Sequence, residues 1–230
     1  MTSINHIIYV VFSTLLQLLI EIKSQTTTFD LREAHTATFI NDKLYILGGS
    51  LPGIVNASKE TFLYLDCSVP FSTNELKWVD LSNYDIVPPH DDAAAVRGGT
   101  SNETLFQYGG RNINNESISL VYTFDTKDNK WSVPVIAGVP PSGKIGITPI
   151  VNYNGLMYLY SGYDDDISLT YTNDMFILDT INLSWKKASS INAPSPRTDY
   201  GAVLLPDKSI LYIGMCNFGP CTNFYKFNHL

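Results

Sequence analysis

An apolar run that closes on two glycines recurs along this chain. Residues 43–49 read KLYILGG, residues 104–110 TLFQYGG and residues 156–162 LMYLYSG. Residues 210–216, ILYIGMC, read as a worn fourth copy with Met215 and Cys216 in the glycine places. The second glycine or its equivalent falls at 49, 110, 162 and 216, in steps of 61, 52 and 54 residues. Repetition at such a period means that one supersecondary unit is stacked several times, because no single unit can bury its apolar face alone.

The rest of the unit repeats in step. Before each copy lies an apolar run: AHTATFI at 34–40, DDAAAV at 91–96, GITPIV at 146–151 and DYGAVLL at 199–205. After it comes a third run ending in an acid or amide: FLYLD at 62–66, VYTFD at 121–125, MFILD at 175–179 and FYKFN at 224–228. A tryptophan follows in three units, at Trp78, Trp131 and Trp185, and prolines at 88–89, 140–141, 194 and 196 separate the units. Four short strands per unit, with no long helical periodicity after the first segment, make an all-β chain. A four-stranded antiparallel unit repeated in this way is the blade of a β-propeller. The blades are expected at about 32–87, 88–140, 141–194 and 195–230, the fourth incomplete. Gly48, Gly49, Gly109, Gly110 and Gly162 then end second strands, where the missing Cβ admits neighbouring backbone and a positive φ. The tryptophans fall on outer strands, where a large ring fills the space between twisted sheets.

These motifs resemble the kelch repeat from residue 32 to residue 228: a diglycine after an apolar strand, an aromatic-rich strand, then a tryptophan beyond an acidic position. The chain departs from that pattern at Leu63, where the other units have Tyr122, Phe176 and Tyr225, at Ser161, and at Met215 and Cys216. It looks like the secreted kelch proteins of fungi. The resemblance implies a binding or scaffolding module whose protein or glycan partner docks on the loops of one propeller face. One kelch relative, galactose oxidase, is a copper enzyme with a Tyr–Cys cross-link and two histidine ligands. Tyr64 lies near Cys67, but no histidine pair accompanies them in a recognisable motif. The reading is therefore not an enzyme, with no cofactor and no metal site. The alternatives are an oxidase-like or carbohydrate-active enzyme, and a non-functional truncated duplicate. Closed kelch rings commonly have more blades than this chain supplies. Either the blades form an open arc, whose uncovered face recruits a partner or a second copy, or residues 26–31 close the ring as the outer strand of blade four.

Charge and the first segment narrow the setting. Apolar residues make up 44% of the chain, charged residues 16%, and the net charge is −7. That balance fits a packed body and disfavours nucleic acid as a partner. Residues 7–20, IIYVVFSTLLQLLI, carry no charge but are shorter than the ~20 residues of a spanning helix. They read as the core of a signal peptide over residues 1–24, with an uncleaved anchor or a buried helix as alternatives. On the first reading the chain is secreted and its mature form has no stable membrane span. Sequons at Asn56, Asn102, Asn115 and Asn182 agree with export. In an oxidising compartment Cys216 and Cys221 can close a small loop around a Gly-Pro turn, leaving Cys67 unpaired.

One pattern points to binding. Arg32, His90, Lys144 and Arg197 each precede a first strand. On one loop per blade they would ring a face suited to acidic peptides or carboxylated sugars, or else they cap the strand starts. Asp91 and Asp92, and the run Asp164, Asp165 and Asp166, lack the ligand spacing of a calcium loop and read as solvated acids.

Overall fold

The computed structural model describes residues 31–52, 61–84, 86–87, 89–112, 119–164, 170–189, 193, 195–216 and 224–227. Residues 1–24, Asn56, Asn115, the Cys216–Cys221 pairing, Asp165 and Asp166 lie outside the described residues and side chains, as do residues 26–30 of the candidate closing strand.

Strand formation follows the alternation of apolar residues, and each repeat folds as one antiparallel sheet. Blade one consists of Thr36–Ile40, Lys43–Leu47, Phe62–Asp66 and Trp78–Asp80, hydrogen-bonded in chain order. Blade two consists of Ala94–Gly98, Thr104–Tyr108, Val121–Asp125 and Lys130–Ser132. Blade three consists of Ile150–Val151, Leu156–Tyr160, Met175–Asp179 and Ser184–Lys187. Blade four has three strands, Arg197–Leu204, Ile210–Cys216 and Phe224–Phe227. The one helical piece among the described residues is the single turn Ser82–Tyr84.

The acid that ends each third strand has a local task. Asp66, Asp125 and Asp179 each accept a hydrogen bond through Oδ1 from the main-chain N–H two residues on, at 2.8–2.9 Å. That Asx turn reverses the chain into the fourth strand. In blades two and three the hairpin is completed by left-handed residues, Asn129 (φ 50°) and Leu183 (φ 50°), two positions before the tryptophan. The offset from acid to tryptophan is therefore a turn length.

The blades pack face to face, and the core lies between them. One cluster joins Ile40, Tyr45, Leu47 and Phe62 of blade one to Leu105, Tyr122, Phe124 and Trp131 of blade two. Phe62 lies edge-on to Phe124, with ring centres 4.7 Å apart, and 5.1 Å from the Trp131 ring. The second cluster joins blades two, three and four, with Trp185 against Tyr108 at 6.0 Å and Tyr160 against Tyr212 at 5.1 Å. Each of these two tryptophans thus seals its blade against the preceding one. Trp78, on blade one, is half-buried and belongs to neither cluster. The inner strands of blades one to four pack in sequence, and no contact of similar extent joins blade four to blade one among the described residues. Among the described residues the blades form an arc. At its far end Val203 and Ile213 are 45% and 47% exposed, whereas their blade-two counterparts Val96 and Tyr108 are covered by blade three.

Candidate functional site

The glycine pair explains how the blades are joined. The N–H of the first member bonds within its own blade: Gly48 to the Thr61 carbonyl, Gly109 to that of Leu120 and Ser161 to that of Asp174. The N–H of the second bonds to the next blade: Gly49 to the His90 carbonyl (2.9 Å), Gly110 to that of Lys144 (3.1 Å) and Gly162 to that of Arg197 (3.0 Å). Two consecutive N–H groups must point to two different sheets, and left-handed backbone at both positions achieves this, with φ between 61° and 95°. Ser161 holds φ 61° without being glycine, and its hydroxyl is fully used. Its single proton lies within reach of the Thr172 and Arg197 carbonyls, at 2.6 and 2.8 Å, and its oxygen accepts from the Arg197 N–H at 2.7 Å.

Blade four corrects the expected placement of its worn motif. In blade two, three residues separate the ladder pairs Ala94↔Tyr108 and His90↔Asn112 on the motif side. In blade four only Gly214 and Met215 separate the matching pairs Gly201↔Ile213 and Arg197↔Cys216. A register shift between Arg197 and Tyr200 absorbs the missing residue. Gly214, at φ 123°, is therefore the glycine of this turn, rather than Met215 and Cys216 standing in for two.

A second set of bonds runs around the inner edge. Ala34, Asp92, Gly146 and Asp199 occupy equivalent places and all have φ between 50° and 67°. The N–H of Asp92 bonds to the Ala34 carbonyl, that of Gly146 to Asp92 and that of Asp199 to Gly146, at 2.9–3.3 Å. Each blade entry is thereby fixed to its neighbour.

The expected basic set lies two residues before these positions. The main-chain carbonyls of His90, Lys144 and Arg197 take the glycine N–H groups, while their side chains are only 3%, 3% and 2% exposed. Arg32 is half-buried and donates from Nη1 to the Gly49 carbonyl at 2.9 Å. The Lys144 ammonium is paired with Asp174, which also accepts from Thr172. Desolvation pushes the Asp174 carboxyl up, but the bonds from Lys144 and Thr172 outweigh it and hold the group below the ordinary aspartate range. A carboxyl depressed in the folded state stabilises fully above its unfolded pKa, ~3.9, and loses that contribution as pH falls through its folded value. Denaturation midpoints measured from pH 6 to pH 2.5 are therefore expected to fall more steeply below about 4 for the native chain than for Asp174→Asn. Parallel acid limbs would show that the pair contributes nothing.

With these cations withdrawn, the face above them carries a cleft of about 430 Å³ lined by Asp92, Arg111, Ile145, Gly146, Tyr163, Tyr171 and Asp199. It draws on the entries of blades two, three and four and on the segments that leave two diglycine turns. Short ladders hold those segments: His90–Asp91 with Arg111–Asn112, and Lys144–Ile145 with Tyr163–Asp164. Asp91 and Asp92, read from sequence as solvated acids, instead form an ion-paired corner. Asp91 is buried, and Arg111 donates to it from Nε at 2.8 Å and to Asp92 from Nη2 at 2.9 Å. Burial first, then the Asp91 carboxylate, holds the Asp92 carboxyl above its ordinary range, with Asp199 and Glu33 adding to Asp91 and Arg111 opposing. The rings of Tyr163 and Tyr171 lie 4.1 Å apart and their hydroxyls are hydrogen-bonded. The Tyr171 hydroxyl is pushed up to about 12, first by desolvation, then by its bond to Tyr163 and by the charge of Asp199. Among the described residues no three His, Cys, Asp or Glu side chains are grouped to hold a metal ion, and no helix is long and apolar enough to cross a membrane. Cys67 is free and half-buried beside the third strand of blade one.

Of the described sequons, Asn102 and Asn182 are exposed on hairpins at the other ends of the strands. The Asn182 side-chain amide donates to Asp179 at 2.9 Å.

Comparison with known proteins agrees with this geometry. Residues 34–229 match the model of the KLHDC2/KLHL20/DRC7 Kelch-repeats domain. The chain belongs to the kelch-repeat family. Kelch domain-containing protein 3 of Rattus norvegicus is 28% identical over 203 residues, which cover 82% of this chain and 50% of that protein. Acyl-CoA-binding domain-containing protein 6 of Oryza sativa subsp. japonica is 24% identical over 199 residues, covering 83% of this chain and 28% of that protein. The kelch chain thus spans half or less of the length of these curated relatives. The solved structure of YjhT matches with a TM-score of 0.61 at 17% identity, covering 81% of this chain and 58% of that one, and it bears on the fold alone.

Proposed function

We propose that this chain is an exported kelch module that binds a protein partner through the face where blade entries and post-diglycine segments converge. The cleft between Asp92, Tyr171 and Asp199 carries this reading, because three blades contribute convergent polar groups and aromatic walls to one concavity. Membership of the kelch-repeat family favours an interaction module. The apolar, uncharged segment at residues 7–20 and the four sequons favour export and N-glycosylation.

The full chain, expressed with its own first 24 residues in its native cells, tests both parts. A photo-reactive amino acid is placed at Tyr171 in the cleft, or at Tyr153, which is 78% exposed at the other end of the blades. The product is expected in the medium, with a mass that falls on enzymatic removal of N-glycans. Irradiation is expected to give a protein adduct from position 171 and not from 153. Retention inside the cell would refute export, and equal adducts from both positions would refute the docking face.

A further inference from the structure

We propose that the cleft receives a cationic side chain, arginine or lysine, presented by the protein partner; this rests on the docking face proposed above. Two acids of the cleft, Asp92 and Asp199, flank Gly146 around the inner edge. The inner-edge position is aspartate in blades two and four but glycine in blade three, between them. A Cβ built there would lie 3.4 Å from Asp199 Oδ1 and closer still to the Thr198 side chain. The missing side chain lets Thr198 and Asp199 close in on the Gly146 main chain, which lines the cleft together with Asp92. One wall of the cleft is the Tyr163–Tyr171 ring pair. Aromatic faces attract cations, and more strongly where water is thinned.

Charge points the same way. Among the described residues, Asp92 in the cleft wall and Asp91 beside it share one guanidinium, Arg111, through its Nη2 and Nε. Asp199 accepts from the Thr198 hydroxyl at 2.7 Å and forms no ion pair among the described residues. Lys144, the nearest buried cation of blade three, is committed to Asp174. Mutual repulsion of the carboxylates is felt at Asp92. A guanidinium or ammonium entering beside Asp199 relieves that repulsion, whereas a carboxylate would add to it.

The test uses pentapeptides, acetyl-Gly-Gly-Xaa-Gly-Gly-amide with Xaa arginine, lysine, glutamine or glutamate, titrated calorimetrically into the purified full chain. The arginine and lysine peptides are expected to bind about tenfold or more tightly than the glutamine peptide, and the glutamate peptide most weakly. Asp199→Asn is expected to remove most of this preference without shifting the thermal midpoint, since asparagine also accepts the left-handed backbone found there. A salt series on the native chain provides a second measurement that needs no variant. The preference is expected to shrink as salt rises from about 0.01 M to 0.3 M. Equal binding of the arginine and glutamine peptides, a glutamate preference, or a preference untouched by both Asp199→Asn and salt would overturn the proposal. Cross-linking from position 171 alone, together with such a result, would leave the docking face standing and remove only the cationic ligand.

Discussion

Replacing Trp131 with alanine is expected to cost about 3–5 kcal/mol, and replacing Trp78 about 1–2 kcal/mol or less. Both residues hold the same place in their repeats, so sequence treats them alike. Trp131 is 5% exposed and fills the space between two sheets, with its ring 5.1 Å from Phe62 across the boundary and 5.2 Å from Phe124 in its own blade. Removing it opens a cavity among rigid aromatic rings held by opposing sheets, which cannot collapse to fill the void. Trp78 is half-buried on the side of blade one facing away from blade two, so part of its surface is already in solvent. The Trp131 indole N–H has no partner among the described residues, so its contribution there is packing and not hydrogen bonding. Trp131→Phe should therefore recover a large part of the loss, while Trp131→Ala should not. Urea denaturation of the three variants measures this directly. Similar midpoints for Trp78→Ala and Trp131→Ala would mean that the blade boundary is not where the tryptophans act.

The repeat made the fold legible. A blade is a local unit of four consecutive strands, so pattern and turn chemistry within about fifty residues specify it, and several copies corroborate one another. The apolar runs, the acid that starts each hairpin and the glycines that end the second strands all took their places from spacing alone. Blade four shows where such counting fails. The motif was aligned as though its length were constant, but the Arg197–Tyr200 irregularity takes up a residue and Gly214 becomes the turn glycine. A bulge on the partner strand leaves no mark in the motif that it displaces.

The cleft was much less legible. Its residues come from separate repeats, brought together by the diglycine and inner-edge bonds between blades. The basic residues are conspicuous because they recur one per blade, and in blades two to four that position has a main-chain use: the carbonyls of His90, Lys144 and Arg197 receive the glycine N–H groups. The variable position two residues later, Asp92, Gly146 and Asp199, carries the chemistry of the face. The usable signal was variation at a repeated place. A residue that differs between copies of a shared framework is not required by that framework.

Gly110→Ala is expected to cost about 3 kcal/mol, and Gly109→Ser about as much, each from a different balance of backbone angle and overlap. The two glycines are adjacent but not equivalent. First positions of the pair have φ of 68°, 61° and 61° at Gly48, Gly109 and Ser161. Second positions have φ of 87°, 95° and 86° at Gly49, Gly110 and Gly162. The former values lie in the left-handed well that an L-residue enters for ~1–2 kcal/mol; the latter lie beyond it. A Cβ at Gly110 would also stand 2.8 Å from the Ala93 Cβ and 3.0 Å from the Asp91 carbonyl oxygen, which adds ~1–3 kcal/mol of overlap. At Gly109 the backbone angle is milder, but a Cβ would press closer still on the Lys144 carbonyl oxygen of the next blade. The serine at residue 161 holds the same angle with its hydroxyl hydrogen-bonded to the Arg197 main chain. At ~2–4 °C per kcal/mol for a domain of this size, each variant should lower the thermal midpoint by about 6–12 °C. A shift well under that range for Gly109→Ser would mean that the next blade gives way at the first glycine and that the backbone angle at the second alone dictates the pair.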